Sequence, residues 1–176
     1  MHKRTRVTAL VASLLGAFGL SPAIGQMREP APVFKPAIEE IGTQARIPIV
    51  LPSKLPAAIG ERDIKLASGE VSNDGYFISL YYEETGSNAT YAAGFRGSTR
   101  IFRELHNTQR VSLSGGRSAL FRAVSCGGSC APANLWWEQN GAMYQIQIKL
   151  SSAMPERRQK RILVETANSM LTVRPK

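Results

Sequence analysis

From Asp63 onward the chain is a series of short runs rich in β-branched and aromatic residues, separated by Gly, Asn and Ser. That pattern predicts strands over Ile64–Ala67, Tyr76–Tyr82, Thr90–Phe95, Thr108–Leu113, Ser118–Val124, Leu135–Glu138 and Met143–Leu150. Asn73-Asp74-Gly75 and Asn140-Gly141 hold the Asx-Gly pair that takes positive φ at low cost, so both predict hairpin turns. In the last run Tyr144, Ile146, Ile148 and Leu150 alternate with Met143, Gln145, Gln147 and Lys149. A period of two sets one face on a core and the other toward water.

One helix follows, predicted from Pro155 to Leu171. Pro155 suits a first turn, Glu156 complements the positive end of the helix dipole, and Ser151 and Ser152 offer capping hydroxyls. Ile162, Leu163, Thr166, Ala167 and Met170 form its apolar stripe, while Arg157, Arg158, Lys160, Arg161 and Glu165 take the wetter side. A single amphipathic helix after a row of strands covers one sheet face, which makes the fold class α+β: an antiparallel sheet with a C-terminal helix packed on it.

The beginning of the chain has a different composition. His2-Lys3-Arg4-Thr5-Arg6 is a basic stretch without acids, Val7–Leu20 is apolar, and Ser21-Pro22-Ala23-Ile24-Gly25 supplies a break and small residues. Together they predict a signal peptide over residues 1–25, a mature start at Gln26, and an exported protein, periplasmic or secreted. The apolar run falls short of the ~20 residues that span a bilayer, so no transmembrane segment is expected after cleavage. With no Cys at the junction, a lipid anchor is not expected, and Arg4 and Arg6 are not adjacent as a twin-arginine signal requires. Removing residues 1–25 takes away Lys3, Arg4 and Arg6, which leaves 19 basic against 13 acidic side chains, a net charge of +6.

Residues 26–60 hold Pro30, Pro32, Pro36, Pro48, Pro52 and Pro56, six of the ten prolines. Each fixes its own φ and pushes its predecessor toward extended backbone, so the stretch reads as a lead-in arm to a domain over 61–176. A short helix fits between Pro36 and Ala45. The run Ile47–Pro52 is too apolar to stay in water and is expected against the domain as an extended edge segment. A chain of 176 residues gives one modest domain with such accessory segments.

Leu135-Trp136-Trp137, Asn140-Gly141, Tyr144-Gln145-Ile146 and a helix closing on Ala167-Asn168-Ser169-Met170 follow in that order, and Leu51-Pro52-Ser53-Lys54-Leu55-Pro56 lies upstream. This order resembles the C-terminal half of a bacterial extracytoplasmic domain of unknown function found in anti-sigma-factor-like exported proteins. The likeness covers residues 47–60 and 113–171. The chain departs from that pattern in carrying no membrane anchor and no cytoplasmic sigma-binding region. The resemblance therefore implies a fold and a compartment, and no catalytic residue.

Cys126-Gly127-Gly128-Ser129-Cys130 in an exported chain predicts a short disulfide-closed loop. A redox pair would be Cys-x-x-Cys opening a helix, and a zinc site would need two further ligands. No cofactor or metal is expected. Ser112 and Ser114, with His106, are the candidates for nucleophilic catalysis, but Gly-x-Ser-x-Gly is missing. Glu83 and Glu84 are adjacent on a strand end, so they point to opposite faces and cannot flank one bond.

The charge distribution says more. Arg96, Arg100, Arg103, Arg110, Arg117 and Arg122 face a single acid, Glu104, between Tyr91 and Arg122, whereas Asp63, Glu70, Asp74, Glu83 and Glu84 crowd the section before it. All-arginine usage favours forked contacts to carboxylate or phosphate; the alternative is that these arginines pair with the acidic neighbours or face water. Consecutive strand residues face opposite ways, so of Trp136 and Trp137 one indole can be core while the other is left on the outer face; either the terminal helix and the arm cover both, or one, taken as Trp137, forms part of a partner surface. These features predict a non-enzymatic, envelope-associated binding module with an Arg-rich face for an envelope protein or polyanion. Nucleic acid is not an expected partner for an exported chain without an aromatic-basic RNA-binding strand. The competing reading is a small secreted hydrolase or thiol-redox enzyme built on Ser114 and His106 or on the two Cys. A binder of a small apolar ligand between helix and sheet is a third.

Overall fold

A computed structural model of the chain describes residues 29–60, 63–101 and 105–173; the expected signal peptide and its cleavage site lie outside them. Seven antiparallel strands form the main sheet: β2 (Leu66–Ser72), β3 (Gly75–Tyr81), β4 (Tyr91–Ser98), β5 (Gln109–Ser112), β6 (Ser118–Arg122), β9 (Ala133–Gln139) and β10 (Ala142–Ile148). Their order is β2-β3-β4-β10-β9-β6-β5. Each of the seven predicted runs overlaps one of these strands, Ile64–Ala67 only through Leu66 and Ala67 at the start of β2, and Asn140 (φ 53°) and Gly141 (φ 75°) turn the chain between β9 and β10 in left-handed backbone. Between β6 and β9 a small hairpin, β7 (Ser125–Cys126) with β8 (Cys130–Ala131), projects from the sheet.

The inner face carries Tyr76, Ile78 and Leu80 from β3, Ala93 and Phe95 from β4, Tyr144, Ile146 and Ile148 from β10, and Leu135 and Trp137 from β9, all buried. Alternation along each strand puts these residues on one side, in register with one another: Ile78 pairs with Phe95, Phe95 with Ile146, and Ile146 with Leu135. Three pieces cover that side. Helix α2 (Glu156–Asn168) buries Leu163, Thr166 and Ala167 over β9 and β10. Helix α1 (Lys35–Ile41) lies on β2, where a side chain at Gly69 would collide with Ile41 and the Ala37 carbonyl. A two-stranded ribbon, β1 (Ile49–Pro52) with β11 (Met170–Val173), closes the middle.

Two expectations are corrected here. The Pro-rich stretch is no arm: Ala31, Phe34, Ala37, Ile41, Ile49 and Leu51 are all core residues, and Phe34 meets Phe95 edge-on at 5.0 Å. Proline restricts the backbone of that stretch but does not stop it from burying its apolar side chains. The apolar run Ile47–Pro52 does lie extended on the domain. The C-terminal helix ends at Asn168, short of Leu171: the Ser169 hydroxyl donates to Thr166 O (2.8 Å), and Met170–Val173 leave the helix to pair with β1.

Candidate binding face

The opposite face of the sheet has its own cross-strand row. Register places Glu70 beside Phe77, Phe77 beside Arg96, Arg96 beside Gln145, Gln145 beside Trp136, Trp136 beside Leu120, and Leu120 beside Arg110. Strands lie ~4.8 Å apart, so Arg96 and Arg110 stand roughly 19 Å from each other across four spacings. Arg122, opposite Asn134, belongs to the next row on the same face. Chain order scatters these residues; the strand order gathers them.

Two arginines are seated on rings. The Arg96 guanidinium lies 5.2 Å from the centroid of Phe77, and that of Arg122 lies 4.9 Å from Trp136. A guanidinium over a ring face is held there by cation–π attraction. Amides hold the floor: Gln145 Nε2 donates to Asn134 Oδ1 at 2.7 Å, and the Tyr91 hydroxyl donates to Gln147 Oε1 at 3.1 Å. Burial, reinforced by Tyr81, pushes the Tyr91 phenol well above its usual range, so it stays protonated and keeps donating. A cleft of about 250 Å³ is lined by Phe77, Arg96, Leu105, Trp136, Gln145 and Gln147. Beside it a second of about 350 Å³ includes Ile101, Arg110, Leu120, Trp136, Glu138 and Met143. Ile101 and Leu105 belong to the connection from β4 to β5, which has to pass β10, β9 and β6 to reach the far edge.

Not every predicted arginine joins the row. Arg96, Arg110 and Arg122 share the face. Arg100 Nε instead lies 2.9 Å from Asp74 Oδ2 beyond the end of β4. The Ser72 hydroxyl and the Arg100 charge together hold the Asp74 carboxyl below its ordinary value. Arg117 braces the β5–β6 turn through Ser114 O (3.2 Å) and Gln139 Oε1 (2.8 Å). Arg103 lies outside the described residues.

Trp137 is corrected as a contact residue. It is 2% exposed on the inner face, stacked on Tyr144 with ring centroids 5.7 Å apart; Trp136 lies on the opposite face and is itself buried, at 5% exposed. Alternation required the two to part but left open which one faced the core. Sequence reasoning missed Phe77, Trp136, Gln145 and Gln147 as parts of the face; the alternation of Gln145 and Gln147 against Tyr144 and Ile146 was the signal that could have found the two amides.

The other candidates lie elsewhere. The Cys126 and Cys130 sulfurs are at bonding distance, 2.07 Å, in the exposed β7–β8 hairpin. The Ser114 hydroxyl donates to Asn168 Oδ1 at 2.9 Å, and His106 sits in an exposed turn before β5. Among the described residues no cluster of His, Cys, Asp and Glu could hold a metal ion, and no helix is long and apolar enough to cross a membrane. No protein-family model, curated protein or solved structure matches this chain.

Proposed function

We propose that the chain is an exported, non-enzymatic binding module of the cell envelope whose outer sheet face takes an anionic partner, either an envelope protein or a polyanion. The observation that carries this reading is the pair of ring-seated arginines, Arg96 on Phe77 and Arg122 on Trp136, projecting from one face together with Arg110. A guanidinium already held over a ring loses less freedom when it binds a carboxylate, sulfate or phosphate. The basic, apolar and small-residue succession over residues 1–25 supports export, as does the resemblance to an extracytoplasmic domain.

The test is retention on an immobilised sulfated polysaccharide as a function of salt, comparing the wild type with the double variant Arg96→Ala, Arg122→Ala. Each charge-assisted contact contributes ~1.5 kcal/mol, so losing both weakens binding by about 100-fold and flattens the salt dependence. Equal retention of the two proteins at every salt concentration rejects the reading. Export is checked separately by sequencing the mature N-terminus, expected at Gln26.

A further inference from the structure

Strand β5 is one edge of the main sheet, and among the described residues no strand pairs with its outer side. The Leu113 N–H donates to Arg117 O at 2.8 Å, and β5 then pairs residue by residue with β6, Val111 opposite Ala119 and Gln109 opposite Phe121. Bonded and non-bonded pairs alternate along an antiparallel ladder, so Gln109, Val111 and Leu113 turn their backbone groups toward β6 while Arg110 and Ser112 turn theirs outward. Among the described residues nothing bonds to the Arg110 and Ser112 backbone groups. The opposite edge is treated differently. There the Gly69 N–H of β2 donates to the Glu40 carboxylate at 2.9 Å, so this fold already meets one sheet edge with an acid.

Beside the open edge, between β5 and α2, runs a groove of about 760 Å³. Val111 and Val164 give it an apolar floor, and Arg157, Arg158, Lys160 and Arg161 give it a basic rim. Both ends are tied: Lys160 Nζ donates to Gln109 Oε1 at 3.1 Å, and Asn168 Oδ1 accepts from the Ser114 N–H and hydroxyl at 2.8 and 2.9 Å. The width between strand and helix is therefore set before anything binds. Two carboxylates of α2 lie near. Glu156 is engaged by the Gln109 amide, and Glu165 is exposed; neither lines the groove, and among the described residues no carboxylate comes within 4.0 Å of Arg157, Arg158 or Arg161.

We infer that β5 and the basic face of α2 form a docking groove for an extended segment of a partner protein with Asp or Glu at every second position. Its backbone adds to β5 as an eighth strand through Arg110 and Ser112, and its acidic side chains reach across Val111 to the rim. A second copy of this chain is disfavoured, because pairing β5 with β5 would bring two basic rims together. A polysaccharide or an anionic bilayer would use the rim but not the open backbone. This site shares no rim residue with the face containing Arg96 and Arg122.

The experiment titrates the protein with a blocked heptapeptide alternating Glu and Thr, read by amide NMR shifts and by anisotropy of the labelled peptide. Saturable binding is expected, with the largest shifts at the Arg110 and Ser112 amides. The double variant Arg157→Glu, Arg161→Glu, both exposed positions, should weaken it by about tenfold or more while leaving the remaining NMR fingerprint in place. N-methylation of alternate peptide residues, which keeps the charge and removes the edge donors, should abolish it. Arg96→Ala with Arg122→Ala should leave it unchanged, which separates this site from the outer sheet face. The inference is overturned if the peptide does not bind, if the N-methylated peptide binds as well as its parent, or if dextran sulfate or anionic vesicles reproduce the Ser112 shift in the Arg96→Ala, Arg122→Ala variant; an Arg110 shift alone does not count, because its side chain belongs to the outer sheet face.

Discussion

Replacing Tyr76 by Phe tests how the β1–β11 ribbon is fastened to the sheet. The Tyr76 hydroxyl, on a residue only 2% exposed, accepts the Val50 N–H at 2.9 Å and donates to Val50 O at 3.5 Å. Phe keeps the ring and removes both bonds, leaving a buried N–H with no partner, which costs ~1–3 kcal/mol. A loss of about 2 kcal/mol at pH 7 is expected from urea unfolding, equivalent to a fall of roughly 4–8 °C in Tm for a domain of this size. The same residue leaves a mark at alkaline pH. Burial raises the Tyr76 hydroxyl far above its usual value, so the folded state holds a proton that the unfolded chain releases above pH ~10. The stabilisation from this group is complete below about pH 10 and declines above it, by ~1.4 kcal/mol per pH unit, until the folded-state value is passed. Tyr91 acts in the same direction. Tyr76→Phe should therefore be less stable than wild type at pH 7 yet lose stability more slowly between pH 10 and 11. A neutral-pH difference below ~0.5 kcal/mol, or parallel curves above pH 10, would refute the reasoning.

Two further outcomes follow from the same interior. Gln159 is 3% exposed on α2, accepting the Val124 N–H at 2.9 Å and donating to Met154 O at 2.7 Å, so Gln159→Leu should cost about 2–3 kcal/mol in urea unfolding despite raising the apolar content of the helix. Reduction of Cys126–Cys130 opens a five-residue loop in an exposed hairpin, so it should cost ~2 kcal/mol or less and confine its NMR shift changes to the neighbourhood of β7 and β8; changes spreading into β9 and β10 would contradict that placement.

The sheet was legible because each strand carries its own alternation and its own punctuation, both of which are local. Helix α2 was legible for the same reason, except at its end. Met170 continues the apolar stripe of the helix, and only the presence of β1, more than a hundred residues earlier in the chain, explains why it joins a ribbon instead. The Pro-rich segment misled for a related reason: proline reports backbone conformation, whereas burial of Phe34 and Ile41 depends on a sheet face that needs covering. The arginines show the limit most clearly. Arg96, Arg110 and Arg122 share a face through the order β4-β10-β9-β6-β5, while Arg100 and Arg117, equally conspicuous in the sequence, are held by Asp74 and by a turn. Strand order depends on pairings between distant segments, and charge counted along the chain carries no trace of it.

The pairing of Ile49–Pro52 with Met170–Val173 also fixes when the molecule can finish folding. The lid over the middle of the core has one half near the front of the chain, where Val50 holds Tyr76 and Pro48 holds Tyr144, and the other half at residues 170–173, so the ribbon is complete only when both ends of the described chain are present.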